Sequence, residues 1–265
     1  MQDTEDLAVG YTLVNDTQYN AGLFLLQRLG ISPGDRVLDV GCGPGNLTAH
    51  MADIVGEKGT VVGIDPSKER ITIALKSTSG RTLAKPSNLS FYEGYAEDLS
   101  RFASASFDVV YVNSTFHWVR DQAGALREFA RVLRPGGRLG ISGGSGDFVA
   151  AHEMIKADVL SREPYRSYPE ESGPRFLKRA ELETLLDQAG FSQREIVVNT
   201  IVKTARDATE MIDWLDMSSS GKTYGGIPLE LRPRAREEMK LEWDKITTED
   251  GIQMKMELLV TVAIK

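Results

Sequence analysis

The first half of the chain alternates between short strand-like runs and stretches in which apolar residues recur at helical spacing. The strand-like runs occupy 36–40, 60–64, 89–92, 106–113 and 139–141. The helical patterns lie at 17–29, 46–55, 67–77 and 122–133. Because strands that alternate with helices are joined by right-handed parallel crossovers, this order predicts a doubly wound, mostly parallel α/β sheet.

The second half predicts further helices and two more strands. Helical patterns cover 180–189, 208–217 and 228–243, and strand patterns cover 195–202 and 255–264. We expect the two late strands to form an antiparallel hairpin, which gives a seven-stranded sheet with an antiparallel last strand. The insertion between them is larger than a sheet connection requires, and such inserts usually shape specificity.

Composition narrows the class of protein. The chain has 265 residues, of which 31 are Lys or Arg and 38 are Asp or Glu, so its net charge is −7. This balance argues against a nucleic-acid backbone or an anionic membrane as the main partner. Cys42 is the only cysteine, which excludes an internal disulfide and favours a cytoplasmic location. One Cys and three His argue against a metal site, and no apolar run approaches the ~20 residues of a membrane span.

The most informative stretch runs from Val37 to Thr48 and reads VLDVGCGPGNLT. A strand pattern is followed by glycines at 41, 43 and 45, and a helical pattern begins directly after them. Glycine has no Cβ, so this loop can turn at positive φ and let a ligand approach its backbone, beside the N–H groups of the next helix. The dinucleotide fingerprint G-x-G-x-x-G is not met, because position 46 is Asn, and a P-loop would require a lysine here.

With Asp39 ahead of G-x-G-x-G, the stretch resembles the first motif of the class I S-adenosylmethionine-dependent methyltransferases. The resemblance implies a Rossmann-like fold that binds S-adenosylmethionine. In such a fold Asp39 orders the loop and the amino-acid end of the cofactor, and Gly41 and Gly43 give access to the backbone. Asp65 ends the second strand, where an acid accepts hydrogen bonds from both ribose hydroxyls. A second role for Asp65, compatible with the first, is to cap the helix that begins near Pro66.

The segment from Gly94 to Leu99 resembles the family's G-D-A-x-x-L run, whose Asp receives the adenine amino group. Tyr95 stands at that position in this chain. The adenine contact therefore falls to Tyr95, by stacking or through its hydroxyl, or to Glu97 and the backbone. On this resemblance, the cofactor pocket also includes Pro66 and Ala96.

The strand that ends at Asn113 is followed by Ser-Thr-Phe-His-Trp-Val. We expect Asn113, through its side chain or its carbonyl, to meet the amino group of the methionine part of the cofactor. The N-x-x-x-x-W spacing to Trp118 resembles the small-molecule acid methyltransferases, which include the trans-aconitate, malonyl-carrier-protein and juvenile-hormone acid enzymes. That resemblance implies a small-molecule acceptor that bears a carboxylate. The residues expected near the acceptor are Tyr11, Asn15, Gln18 and Trp214.

Three functions are compatible with these residues. A carboxylate acceptor is already anionic and needs only donors, which the Trp118 indole and the Gln18 amide supply. A hydroxyl or amine acceptor requires a general base, for which His117 is the candidate, although His117 and Trp118 could equally be buried structural residues. The third possibility is a non-methylating protein that keeps the cofactor fold, which Tyr95 favours and the intact glycines disfavour.

We therefore expect O-methylation of a small carboxylate by in-line displacement, with His117, Trp118 and Gln18 as catalytic residues. Three regions are predicted. The N-terminal flap and helix occupy 1–30, the Rossmann-like core occupies 31–203 and 251–265, and a helical insertion over the active site occupies 204–250.

Overall fold

A computed structural model describes residues 16–79, 88–170, 173–219 and 222–265. The strands are β1 (Arg36–Val40), β2 (Thr60–Asp65), β3 (Leu89–Glu93), β4 (Phe107–Asn113), β5 (Leu133–Gly144), β6 (Gln193–Ala205) and β7 (Ile252–Ile264). The helices are α1 (Asp16–Leu29), α2 (Asn46–Val55), α3 (Lys68–Ser79), α4 (Gln122–Val132), α5 (Ala151–Leu160), α6 (Arg179–Gln188), α7 (Ala208–Ser218) and α8 (Arg232–Asp244).

The strands form one sheet in the order β3-β2-β1-β4-β5-β7-β6. The first five strands pair in parallel, whereas β7 runs antiparallel to β5. The predicted seven-stranded sheet with an antiparallel last strand is therefore confirmed. Because the carboxyl ends of parallel strands lie at one edge of a sheet, Val40, Asp65 and Asn113 reach the same edge.

The core around β1 and β4 explains why these segments form strands. Val37 and Leu38 in β1 and Val109 and Val110 in β4 have no exposed surface, as expected for central strands that helices cover on both faces. On one side α4 buries a single apolar stripe, which consists of Ala125, Leu126, Phe129 and Val132. Each large side chain buried in this way stabilises the fold by roughly 1.5–3 kcal/mol.

Helix α1 approaches β4 and β5 closely because glycines stand at the points of contact. A Cβ built on Gly22 would lie 2.5 Å from the Tyr111 hydroxyl, and one built on Gly140 would lie 2.3 Å from Leu29 Cδ1. Both positions therefore have to be glycine for the helix to lie this near the sheet. The close approach brings Gln18, one turn before Gly22, to the end of β4.

The chain divides into two compact units. One consists of 18–146, 175–199 and 258–265, and it holds the site described below. The other contains 147–174 and 200–257, with Asp16 and Thr17. We assigned 147–174 to the core region from the sequence, but Val159 and Tyr165 pack in the same apolar cluster as Met211 and Trp243. Within the described ranges, no helix is both long and apolar enough to cross a lipid bilayer.

Candidate active site

The glycine loop after β1 takes a conformation that few other residues could adopt. Gly41, Gly43 and Gly45 have φ angles of +74°, +55° and +85°. The amides of Gly41 and Cys42 both donate to the carbonyl of Ile64, at 2.8 and 3.0 Å, and so fix the loop to the end of β2. L-residues avoid positive φ because Cβ approaches the carbonyl oxygen. The spacing of the three glycines therefore follows from the shape of the backbone.

Asp65 connects the end of β2 to both neighbouring backbone segments. Gly43 N–H donates to Oδ2 at 2.9 Å, and Ser67 N–H donates to Oδ1 at 2.9 Å. Ser67 precedes the first residue of α3, and Ser67 Oγ itself caps the helix by accepting from Arg70 N–H at 3.2 Å, so the predicted capping role of Asp65 is wrong. A carboxylate has about four acceptor positions, so the two bonds to Asp65 leave room for the predicted hydrogen bonds from ribose hydroxyls. Pro66, the next residue, is exposed at the same edge.

Asp39 lies inside β1, behind the loop, and is 3% exposed. Thr48, in the first turn of α2, donates its hydroxyl to Asp39 Oδ2 at 2.7 Å. Burial raises the pKa of Asp39 to about 7, and the charge of Asp65 adds to this effect, whereas the bond from Thr48 opposes it. The carboxyl group thus ties the start of α2 to the sheet and titrates near neutrality.

Asp39 makes the stability of the fold depend on pH. Its pKa is higher in the folded protein than its ordinary value of 3.8, so the folded state binds this proton more tightly, and stability falls as pH rises towards 7. The buried histidines His117 and His152 have lowered pKa values and act in the opposite sense. Because the histidines are common to both proteins, we compare the free energy of unfolding of Asp39→Asn with that of the wild type at the same pH. The value for Asp39→Asn minus the value for the wild type should increase by about 1.4 kcal/mol from pH 6 to pH 8. Urea unfolding at both pH values measures it, and a constant difference would contradict the prediction.

The end of β4 contains a strained residue. Ser114 has a φ of +53°, which is unusual for a residue other than glycine, and its N–H donates to Ser142 O at 2.7 Å. The next hydroxyl, Thr115 Oγ1, lies 2.9 Å from Asn113 O and 3.4 Å from Gly41 O. This turn therefore brings the carbonyls of the glycine loop and of β4 to one point.

Two buried acceptors lie at that point. Asn113 Nδ2 donates to Gln18 O at 2.9 Å, which joins the end of β4 to α1. Asn113 Oδ1 and Gln18 Oε1 are buried and have no hydrogen-bond partner among the described residues. Buried acceptors normally have a donor. Each of these acceptors could take a hydrogen bond from a cationic donor such as an ammonium group, so these residues, with the glycine loop and Asp65, fit S-adenosylmethionine.

The loop after β3 has a different arrangement from the family pattern. Tyr95 is 57% exposed at this edge, whereas Ala96 packs in the core. Glu97 Oε1 accepts the backbone N–H groups of Arg120 at 3.0 Å and Asp121 at 3.4 Å. The carboxylate of Glu97 thus holds the start of α4, and the aromatic ring of Tyr95 is the accessible side chain. Adenine contact by Tyr95 stays a prediction.

His117 lies in a single turn of 3-10 helix, Phe116–Trp118, that follows β4. Its ring is 4.9 Å from that of Phe176 and 5.1 Å from that of Trp118, between ring centroids. Nδ1 is buried and has no partner within the described ranges. Burial alone lowers the pKa of His117 to about 4, so the imidazole is neutral at physiological pH.

Sequence reasoning missed the residues that support this turn. Arg175 N–H donates to His117 O at 2.8 Å, and Gln122 Nε2 donates to Phe116 O at 3.0 Å and to Arg175 O at 3.1 Å. Gln122 is the first residue of a predicted helix, where a polar side chain is common and does not by itself indicate a site. Phe176 and Arg175 lie in a stretch without periodicity, so no local signal could have placed them at the site.

The other predicted substrate residues lie elsewhere. Tyr11 and Asn15 are outside the described residues. Trp214 belongs to the second compact unit, where it is 6% exposed, packs in the apolar core and has Lys203 Nζ 5.4 Å from its ring centroid. A role for these three residues in binding the acceptor stays a prediction.

Comparison with known proteins identifies the family. Residues 31–190, more than half of the chain, match a family model described as "Methyltransferase domain". The chain is 34% identical over 222 residues to the O-methyltransferase cnsE of Penicillium expansum, a match that covers 84% of this chain and 74% of that enzyme. It is 35% identical over 143 residues to the ubiquinone/menaquinone biosynthesis C-methyltransferase UbiE of Vibrio vulnificus, and this match covers about half of each chain.

The fold has relatives among solved structures. The YcgJ protein of Bacillus subtilis superposes with a TM-score of 0.63 over 93% of this chain and 98% of that one, at 17% identity, which shows a shared fold. The expected methyl-transfer activity is confirmed at the level of the family. The chain belongs to the methyltransferase domain family and is a class I, S-adenosylmethionine-dependent methyltransferase.

Proposed function

We propose that this enzyme methylates an oxygen of a small molecule, and that the accepting group is a carboxylate. Oxygen is supported by the match to the Penicillium O-methyltransferase, which extends over 84% of the chain. The match to the C-methyltransferase covers only 50% of the chain. A small-molecule acceptor also agrees with the net charge of −7, which disfavours nucleic acid.

The observation that carries the choice of a carboxylate is the state of His117. A general base works best when its pKa lies near the working pH and a second group orients it. The pKa of His117 is about 4, with burial as the only cause, and its ring packs against Phe176 and Trp118. A hydroxyl acceptor would therefore find a weak base here. A carboxylate is ionised above about pH 5 and needs none.

Bound S-adenosylmethionine supplies an electrophilic methyl group on a positively charged sulfur. The residues that would hold it are Asp65, the glycine loop and Asn113. Gln18 can bind two partners. Its amide oxygen can accept a hydrogen bond from the ammonium group of the cofactor, and its amide NH₂ group can donate to the carboxylate of the substrate. The Trp118 indole N–H is the second donor that we assign to the accepting carboxylate. The rings of Phe176 and Trp118 beside His117 limit the access of bulk solvent, which strengthens hydrogen bonds to a charged group here.

The chemical nature of the product tests the proposal. Purified enzyme is incubated with S-adenosylmethionine that carries a tritiated methyl group, together with a panel of small carboxylic acids and matched phenols and alcohols. A methyl ester releases methanol in mild alkali, whereas a methyl ether does not. We expect volatile, alkali-released label with an acid. Label that resists alkali, formed on a phenol or alcohol, would overturn the proposal.

Substitution of His117 by Phe separates packing from base catalysis. We expect kcat for the acid acceptor to fall less than about 10-fold, because Phe keeps the aromatic contacts, whereas loss of a general base lowers the rate about 100- to 10,000-fold. The matched variant Trp118→Phe removes an indole N–H and keeps a ring. Its KM for the acid should rise about 10-fold, which is typical of one lost hydrogen bond to a charged group. A 100-fold loss of kcat in His117→Phe alone would assign the base role to His117.

A further inference from the structure

A small cavity lies behind His117, on the side of the ring where Nδ1 is buried. Its lining is mainly apolar and includes Phe116, Ile141 and Leu177. The polar residues on its wall are His117, Gln122 and Arg175, and the exposed guanidinium of Arg175 pairs with Glu181 Oε1 at 3.5 Å. It has room for about one water molecule.

His117 and Gln122 each have a buried side-chain atom without a hydrogen-bond partner among the described residues. Gln122 is 2% exposed, and its Nε2 makes the two bonds that join the Phe116 carbonyl to the Arg175 carbonyl. Its Oε1 has no partner among the described residues, and neither does His117 Nδ1. A buried polar atom without a partner costs about 1–3 kcal/mol. Two such atoms on the wall of one cavity indicate a shared hydrogen-bonding partner.

We propose that Gln122 is a positioning residue for His117, and that its Oε1 and His117 Nδ1 together bind one buried water molecule. Water has two hydrogens, and the cavity presents two acceptors when Nδ1 carries the lone pair. In this arrangement both hydrogens are used. If Nδ1 carried the proton instead, the water would accept from it and donate to Gln122, and one water hydrogen would remain unpaired in an apolar lining.

The arrangement determines which imidazole nitrogen carries the proton. With Nδ1 as an acceptor, the neutral ring must be protonated at Nε2. His117 then offers an N–H donor from its other nitrogen, as a residue that holds an anionic acceptor should. The role of this N–H in holding the substrate rests on the proposed function. The test below measures the protonation state of the imidazole and does not depend on turnover.

Nitrogen NMR of the full-length enzyme with ¹⁵N-labelled histidine tests the proposal. The chain has three histidines, so His117→Phe identifies the His117 signals by their loss. We expect one pyridine-type and one pyrrole-type nitrogen between pH 6 and 8, with the proton on Nε2. A ring protonated at Nδ1 in the wild type would overturn the proposal.

Gly143→Ala removes the water without touching Gln122. A Cβ at this position would lie 3.5 Å from His117 Nδ1, an ordinary contact, and would occupy the space beside that atom. We expect a mixture of the two tautomers in this variant. The matched control is Ser142→Ala, at the neighbouring position of β5, whose side chain points to the opposite face of the sheet. It should give the wild-type spectrum. A Gly143→Ala spectrum equal to that of the wild type would contradict the bound water.

Gln122 is tested separately from the water. Gln122→Met keeps the length of the side chain and removes its polar atoms, so it should give the mixed tautomers and a raised KM for the acid acceptor. Gln122→Glu places a carboxylate beside the imidazole, and the pKa of His117 should rise from about 4 to above its ordinary value of 6.5. If Gln122→Met fails to fold, Gly143→Ala and Gln122→Glu still decide the question. If the tautomer and the pKa of His117 were unchanged in these two variants, the proposed role of Gln122 and the water would be refuted.

Discussion

Replacement of Gly41 by alanine is expected to weaken binding of S-adenosylmethionine at least 100-fold. The φ angle of +74° costs an L-residue roughly 1–2 kcal/mol. The added Cβ would also lie 2.1 Å from Thr115 Oγ1 and 2.3 Å from Thr115 Cγ2, so Thr115 or the loop must move. Thr115 is the residue whose hydroxyl lies between the carbonyls of Gly41 and Asn113. A shift there changes the shape of the backbone that the methionine part of the cofactor requires.

The chain offers a matched control for the backbone effect. Gly34 has a φ of +91°, but a Cβ there would meet nothing within 4 Å. Gly34→Ala should therefore lower the free energy of unfolding by about 1–2 kcal/mol and leave cofactor affinity unchanged. The double variant Gly41→Ala, Thr115→Ala removes the two nearest of the three Thr115 atoms that the new methyl group would strike and leaves Cβ, at 2.7 Å. It should therefore regain only part of the lost affinity, about 10-fold. Calorimetric titration with S-adenosylmethionine measures the affinities of the three variants. Equal affinities for Gly41→Ala and Gly34→Ala would show that the overlap with Thr115 does not matter.

The glycine loop is the part of the site that the sequence predicts best, and the reason is physical. Positive φ requires glycine, so the shape of this backbone is visible in the residue types at 41, 43 and 45. Strands and helices are similarly local. The helix predicted at 208–217 is observed at Ala208–Ser218, and the strand predicted at 36–40 is observed at Arg36–Val40.

Features that depend on long-range contacts could not be predicted in this way. The turn at His117 is held by Arg175, 58 positions later in the chain, through backbone atoms that every residue possesses. Ser114 takes a positive φ although it is not glycine, because the chain on both sides is fixed by β4 and by the bond from Ser114 N–H to Ser142 O. No residue type signals either contact. The packing of Val159 and Tyr165 could not be predicted for the same reason, since both are core residues only in relation to helices more than 40 positions away.

Asp65→Asn should lower the affinity for S-adenosylmethionine on the order of 100-fold, and the affinity for S-adenosylhomocysteine by the same factor. In the wild type the two carboxylate oxygens accept from Gly43 N–H and Ser67 N–H. The Asn amide has one oxygen and one NH₂ group, so one of these backbone N–H groups loses its acceptor and faces a second donor. The glycine loop or the start of α3 must then move. The predicted hydrogen bonds to ribose are weakened as well, because a neutral amide is a poorer acceptor.

The comparison of the two ligands isolates the cause. Ribose is common to both, but only S-adenosylmethionine carries the positive sulfur, so a loss caused by the missing negative charge would fall mainly on S-adenosylmethionine. Asp53→Asn, at an exposed position of α2, removes the same charge from the protein and should leave both affinities unchanged. An Asp65→Asn protein that binds S-adenosylhomocysteine as well as wild type does would overturn the ribose assignment. It would leave Asp65 a purely electrostatic role. An equal 100-fold loss, about 2.7 kcal/mol for each ligand, would place the function of this carboxylate in shaping the loop and binding the sugar.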